Sequence, residues 1–129
     1  MTNITLQRWH EYANAKDPAL LAQILHDEAV FHSPVVHTPQ HGKPIVTAYL
    51  QAAMAVFGQG SFEYLGEWSS ENGAVLEFSA ELDGIVINGV DIMAWDDEGL
   101  IVDFKVMVRP LKAVNHLHGL MKAMLEAGG

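Results

Sequence analysis

Asp91 interrupts the otherwise apolar run Ile85-Val86-Ile87-Asn88-Gly89-Val90-Asp91-Ile92-Met93-Ala94-Trp95. On a strand the side-chain period is two, so Asp91 shares a face with Met93 and Trp95, while Val90, Ile92 and Ala94 face the other way. An ionised carboxylate among such neighbours is costly unless it is paired, hydrogen-bonded or neutralised by a raised pKa, and groups that do acid–base chemistry share those properties. The plainer alternative is a structural aspartate bonded to backbone or to a neighbouring tyrosine. His32 and Ser33 precede Pro34 at a strand end and must point to opposite faces, so only one of them readily joins Asp91. Histidine suits acid or base work near neutrality, which makes His32 the candidate partner in catalysis if it turns inward. Trp9 offers an indole N–H and Tyr12, three residues later, a hydroxyl; each is a candidate ligand contact and each is equally at home in a core. His32, His37 and His41 have a spacing that superficially suits a metal. Two prolines lie between them and no nearby carboxylate completes a set, so no metal site is expected. His116 and His118 are two apart on a predicted helix and diverge. Arg109 is read as a structural partner of a sheet glutamate rather than an anion site.

The elements that position these residues follow from periodicity and punctuation. Leu6, Trp9 and Ala13 recur at helical spacing after the possible caps Thr2, Asn3 or Thr5, and Asp17-Pro18 reads as an N-cap followed by proline at the first helical position. Ala29-Val30-Phe31-His32-Ser33 has strand character, and a loop rich in proline and histidine runs on to His41. Val46, Tyr49, Leu50, Ala53, Met54 and Phe57 form one stripe of a helix, with Pro44 near its start and Gly58 as its stop. From Ser61 onward, strands are separated by Asn72-Gly73, Asp83-Gly84 and Asp96-Asp97-Glu98-Gly99, the spacing of an antiparallel meander of four long strands. Leu76, Phe78, Ala80 and Leu82 share one buried face, as do Val102, Phe104, Val106 and Val108. A closing helix after Pro110 places Leu111, Val114, Leu117, Met121 and Leu125 on its apolar side. The order predicts an α+β domain with helices against one face of a strongly bent sheet. Phe31, Tyr49, Phe57, Phe78, Met93, Trp95, Phe104 and Val106 would line a cavity there or simply fill a core, since both use the same residue types.

In order and local signature the chain resembles the nuclear transport factor 2-like superfamily, in the branch of the SnoaL-like polyketide cyclases and the ketosteroid isomerases. The carriers are Gln7-Arg8-Trp9 with Asn14-Ala15-Lys16-Asp17, then Ser33-Pro34-Val35 with Pro39-Gln40-His41-Gly42, Gly89-Val90-Asp91, Gly99-Leu100-Ile101 and Arg109-Pro110-Leu111. The resemblance implies a cone: a curved antiparallel sheet wrapped around the N-terminal helices, with an internal apolar pocket into which Asp91 points. It also implies a homodimer through the outer sheet face. Of the isomerase machinery that the resemblance implies, Asp91 matches the protonated aspartic acid. The base position before the proline is Ser33 and the tyrosine position of the first helix is Trp9, so steroid isomerisation is not expected. Family position favours Ser33 over His32 as the inward residue.

Composition bounds the rest. The 129 residues, half of them hydrophobic, fit one domain spanning 1–129. Sixteen acidic against seven basic residues give a formal charge of −9, which repels phosphate backbones and anionic lipid. Neither nucleic acid nor membrane is an expected partner. No cysteine is present, and the start Met1-Thr2-Asn3-Ile4 lacks a signal-peptide pattern, so a cytoplasmic location is expected. On the outer sheet face Val75, Val90, Ile92 and Met107 alternate with Glu77, Glu81, Asp103, Lys105 and Arg109, a mixed surface suited to a two-fold interface or to solvent. The sequence points to a binder of a small apolar molecule needing no cofactor, with isomerase, cyclase or dehydratase chemistry as the catalytic form. Asp91 and His32 are its candidate catalytic residues, and Trp9, Tyr12, Phe31, Ser33, Tyr49, Phe57, Phe78, Met93, Trp95, Phe104 and Val106 its candidate ligand contacts. The alternatives are a non-catalytic ligand- or partner-binding module and a closed subunit whose role is assembly.

Overall fold

The computed structural model describes residues 4–128, so the suggested caps Thr2 and Asn3 lie outside the described residues. The chain runs α1 (Ile4–Ala15), α2 (Pro18–Ala22), β1 (Leu25–His32), β2 (Gln40–His41), α3 (Lys43–Phe57), β3 (Ser61–Ser70), β4 (Gly73–Leu82), β5 (Ile85–Trp95), β6 (Ile101–Arg109) and α4 (Leu111–Gly128). Thr5 does not cap α1; its hydroxyl donates to the Gly99 carbonyl at 2.8 Å and ties the helix to the β5–β6 turn. Asp17 caps α2 as its sequence suggests, accepting from the Ala19 N–H at 2.9 Å with Pro18 behind it. Asp83 and Gly84, with φ of 54° and 79°, turn β4 into β5 through a two-residue hairpin whose twist suits the strands. The Asp96 carboxylate accepts from the N–H groups of Glu98 and Leu100 and shapes the turn into β6.

One curved, unclosed sheet results, in the order β2-β1-β6-β5-β4-β3, and the domain is α+β with a cone-like form. The four long strands form the antiparallel meander read from the sequence, but β1 departs from an all-antiparallel sheet by running parallel to β6. Ile87, Gly89, Asp91, Met93 and Trp95 form the buried side of β5, and Leu76, Phe78, Ala80 and Leu82 that of β4. On β6 the expected parity holds at Phe104 and Val106 and fails at the start: Ile101 is buried rather than Val102. A register shift between Ala94 and Trp95 inserts Val102 opposite no partner, and the extra residue reverses the alternation.

The helices also bury different residues from those expected. α3 hides Val46, Leu50, Ala52 and Val56, because α4 packs along a second side of it. On α4 the buried residues are Ala113 and Leu117, while Leu111 is 73% exposed. Two apolar clusters form on the inner sheet face. One, under α1, holds Leu6, Trp9, Tyr12, Leu76, Met93, Trp95 and Phe104; the other, under α3 and α4, holds Val56, Phe78, Leu82, Ile87 and Leu117. No helix among the described residues is long and apolar enough to cross a membrane.

Candidate active site

Asp91 sits where the two clusters meet. Its strand neighbours are Leu76 on β4 and Val106 on β6, and the next inward residue along β5 is Gly89. Gly89 is required by close approach: a Cβ there would lie 2.6 Å from the Phe78 ring and 2.6 Å from the Met107 carbonyl oxygen. Beside Asp91 is a cavity of about 40 Å³, lined by Trp9, Phe31, Ser33, Pro34, Val35, Leu50, Ala53, Met54, Phe57, Phe62, Phe78, Phe104, Val106, Leu117 and Met121. Among the described residues, Asp91 is the one titratable side chain on this wall. That volume is about three times what one water needs, and the two methionines are the most adaptable side chains facing it.

The carboxyl group of Asp91 is held by a chain of donors. The Trp9 indole N–H donates to the Tyr64 hydroxyl oxygen at 3.0 Å, and the Tyr64 O–H donates to Asp91 Oδ2 at 3.0 Å. Asp91 is only 7% exposed, and burial pushes its pKa up from 3.8 to about 7, opposed in part by the Tyr64 hydrogen bond, which favours the charged form. Burial, and then the charge of Asp91, push the Tyr64 hydroxyl well above its ordinary value, so it stays protonated. Asp91 is thus a carboxyl group poised between acid and carboxylate near neutrality, facing an apolar wall.

Of the other residues singled out from the sequence, Trp9, Phe31, Ser33, Phe57, Phe78, Phe104 and Val106 line this cavity, and Tyr12, Tyr49, Met93, Trp95 and His32 do not. Tyr12 is turned from the cavity into the seam between α1 and α3, where its hydroxyl donates to Gln51; burial raises its pKa. Tyr49 packs on the ring of Phe31 at 5.3 Å. Met93 and Trp95 share the inward face with Asp91 but lie under α1, where core fills the space, and the Trp95 indole N–H donates to the Glu71 carbonyl at 3.1 Å. His32 is on the opposite face of the sheet from Phe31, its Nε2 2.8 Å from Asp103 Oδ1, which removes it as the base for Asp91. Strand alternation sends Ser33 inward instead, where its Oγ accepts from the Val35 N–H at 3.1 Å.

Other polar pairs are structural. Arg109 donates to Asn88 at 2.8 Å and Asn88 to Glu77 at 3.0 Å, so the sheet glutamate is reached through an amide. His116 meets Asp83 at 2.9 Å. Among the described residues no three potential metal ligands come together, His32, His37 and His41 included. Tyr64, which joins Trp9 to Asp91, is a site residue that the sequence does not single out. Its signal was the period-two pair Phe62 and Tyr64 in Ser61–Ser70, which faces inward beside Phe78 before a bulge near Leu65 interrupts the strand.

A family model for the SnoaL-like domain matches residues 6–104. Among solved structures the chain is similar to a steroid delta-isomerase from Pseudomonas aeruginosa, with 37% identity, a TM-score of 0.91, and coverage of 96% of this chain and 90% of that one. It is also similar to an uncharacterised protein with a cystatin-like fold from Silicibacter pomeroyi, at 28% identity and a TM-score of 0.86, covering 95% of this chain and 85% of that one. The epoxide hydrolase/cyclase-like enzyme SalBIII of salinomycin pyran ring formation shares the fold at 16% identity and a TM-score of 0.65, with 81% and 90% of the two chains covered. No curated protein sequence matches the chain. The chain belongs to the SnoaL-like domain family, within the nuclear transport factor 2-like superfamily.

Proposed function

We propose that this SnoaL-like chain is an isomerase or cyclase that takes a compact apolar molecule by one oxygen atom and moves a proton at it with Asp91. The observation that carries the reading is the lone carboxyl group, with its pKa pushed up to about 7, on an otherwise apolar cavity wall. As the acid, Asp91 donates to a ligand carbonyl or ether oxygen; as the carboxylate, it takes a proton from carbon. With no second titratable side chain on the wall, the proton that Asp91 gives must come back to it. Isomerisation and ring closure by an internal nucleophile both meet that condition, since neither changes the proton count of the ligand. Ser33 stands where a base would be needed for two-group chemistry, and a hydroxyl without an activator does not serve. The steroid delta-isomerase similarity supports the isomerase form, while the small cavity asks for a smaller ligand or for displacement of Met54 and Met121.

The test is conversion of cyclohex-3-enone to its conjugated isomer, followed by ultraviolet absorbance. Wild-type protein is expected to show turnover with a pH midpoint near 7, and Asp91→Asn to lose about 100-fold or more. Turnover unchanged in Asp91→Asn defeats the reading. Binding without turnover in the wild type favours the non-catalytic module, which the absence of a base at Ser33 supports.

The reading includes a homodimer through the outer sheet face. Trp68, Val86 and Met107 support it: they are 61%, 56% and 52% exposed, on a face that also carries Val75, Val90 and Ile92. Sedimentation of Trp68→Glu is expected to give a monomer with an unchanged fold, because Trp68 touches no part of the inner core. A variant that sediments like the wild type removes this face from the assembly.

A further inference from the structure

We infer that Trp9 and Tyr64 are positioning residues that make the two oxygens of Asp91 unequal: Oδ2 is a permanent acceptor, and all proton traffic passes through Oδ1. The inference rests on the proposed reading for Asp91 as the working group and adds which atom works. It follows from counting donors. A tyrosine hydroxyl has one proton. The Tyr64 oxygen already accepts the indole N–H of Trp9, which is a donor only, so nothing on Trp9 can receive the Tyr64 proton. Asp91 Oδ2 is the one other hydrogen-bond partner of the Tyr64 hydroxyl among the described residues, so that proton is assigned to it whether Asp91 is charged or neutral. When Asp91 is the acid, its own proton must sit on Oδ1. No hydrogen bond from the described residues reaches Oδ1, and Asp91 borders the cavity.

The geometry has two consequences. The neutral acid presents a donor to the cavity, so the ligand atom facing it is an acceptor, a carbonyl, ether or hydroxyl oxygen, rather than an ammonium. Ionisation also tightens the chain of donors, because a charged acceptor strengthens the Tyr64 bond and, through it, the bond from Trp9. Trp9 thus acts on Asp91 without a hydrogen bond to it. A tryptophan at this place in the first helix is then a second-hand donor to the carboxyl group rather than a direct contact to the ligand oxygen.

The experiment uses ligand-free protein, so a failure of the enzymatic reading leaves it interpretable and the reverse holds too. Asp91 is titrated through the carboxyl carbon resonance of aspartate-labelled protein, assigned by its loss in Asp91→Asn, while the Trp9 indole N–H resonance is followed in the same samples. Tyr64→Phe is expected to raise the Asp91 midpoint by about one to two pH units, the size of one lost hydrogen bond to a charged group. Trp9→Phe is expected to raise it in the same direction by less, and in the wild type the indole proton is expected to move with the same midpoint as Asp91. A folded Tyr64→Phe or Trp9→Phe protein with an unchanged midpoint overturns the inference. If neither variant folds, the wild-type spectrum decides alone: an indole resonance that stays flat through the Asp91 titration overturns it.

Discussion

The two ends of the inner sheet face are built from the same kinds of residue, yet one is solid and the other hollow. Under α1, Tyr12, Leu76, Met93 and Trp95 fill the space behind Trp9 and Phe104, which border the cavity with ring centroids 4.9 Å apart. Toward α3 and α4, the rings of Phe57, Phe62 and Phe78 pack with centroids 5.1 to 5.5 Å apart, but Met54, Leu117 and Met121 leave the cavity beside Asp91. The difference lies in the covering helix. α1 sets two large aromatic side chains, Trp9 and Tyr12, into the first cluster, whereas toward the other end the unbranched Met54 and Met121 border the cavity. Rigid side chains define a core, and flexible ones over a gap define a place that a ligand can occupy.

Trp9→Ala gives the largest expected effect. It empties the solid end and leaves the Tyr64 hydroxyl without its donor, so a loss of about 3 to 5 kcal/mol is expected in chemical denaturation. Met121→Ala on the hollow wall is expected to cost about 1 kcal/mol, because that side chain is only half-buried and already borders space. Equal costs at the two positions would break the comparison.

Asp91 stands on the boundary, and its effect depends on pH. Its folded-state pKa of about 7 lies above the 3.8 of the free group, so between about pH 4 and 7 the folded protein keeps a proton that the unfolded chain has released. Stability from this group is therefore fully present below pH 4 and is lost as pH rises through 7, by on the order of 4 kcal/mol at 1.36 kcal/mol per unit. Asp91→Asn keeps an acceptor for Tyr64 and carries no charge. It is expected to be more stable than wild type by about 2 to 4 kcal/mol at pH 8, and by almost nothing at pH 4. Thermal melts across that range check it, and a difference that does not depend on pH would mean that Asp91 is not the buried titrating group of the cavity.

Much of this arrangement was legible in the sequence. Strict alternation gave the inward faces of β4 and β5, and so the orientation of Asp91, because a one-residue slip would bury Glu77 and Glu81. The punctuation at Asp17-Pro18 and Asp83-Gly84 marked a helix start and a hairpin for local steric reasons. Features set by partners far along the chain were hidden. Tyr64 lies 27 residues from Asp91 and reaches it across β4, and neither β3 nor β5 announces that meeting. The parallel pairing of β1 with β6 and the bulge that buries Ile101 in place of Val102 also depend on a neighbour rather than on local pattern. Hollow and solid ends could not be told apart, since Phe78 on the cavity and Met93 in the core have the same periodicity.

The smallest expected effect on stability is the most direct test of the hollow end. Ala53, on the third helix, faces the cavity and is half-buried, so Ala53→Val adds two methyl groups where about 40 Å³ is free. Added carbon in a tight core costs about 1 to 3 kcal/mol, whereas in a void it replaces missing contacts. A change within about 1 kcal/mol in either direction is therefore expected in denaturant unfolding. Turnover of cyclohex-3-enone is expected to fall with no shift in its pH midpoint, because Asp91 and its donors are untouched while the space for the ligand is gone. If instead the protein loses several kcal/mol, the wall is as tightly filled as the α1 end, and the ligand would need a site elsewhere on the molecule.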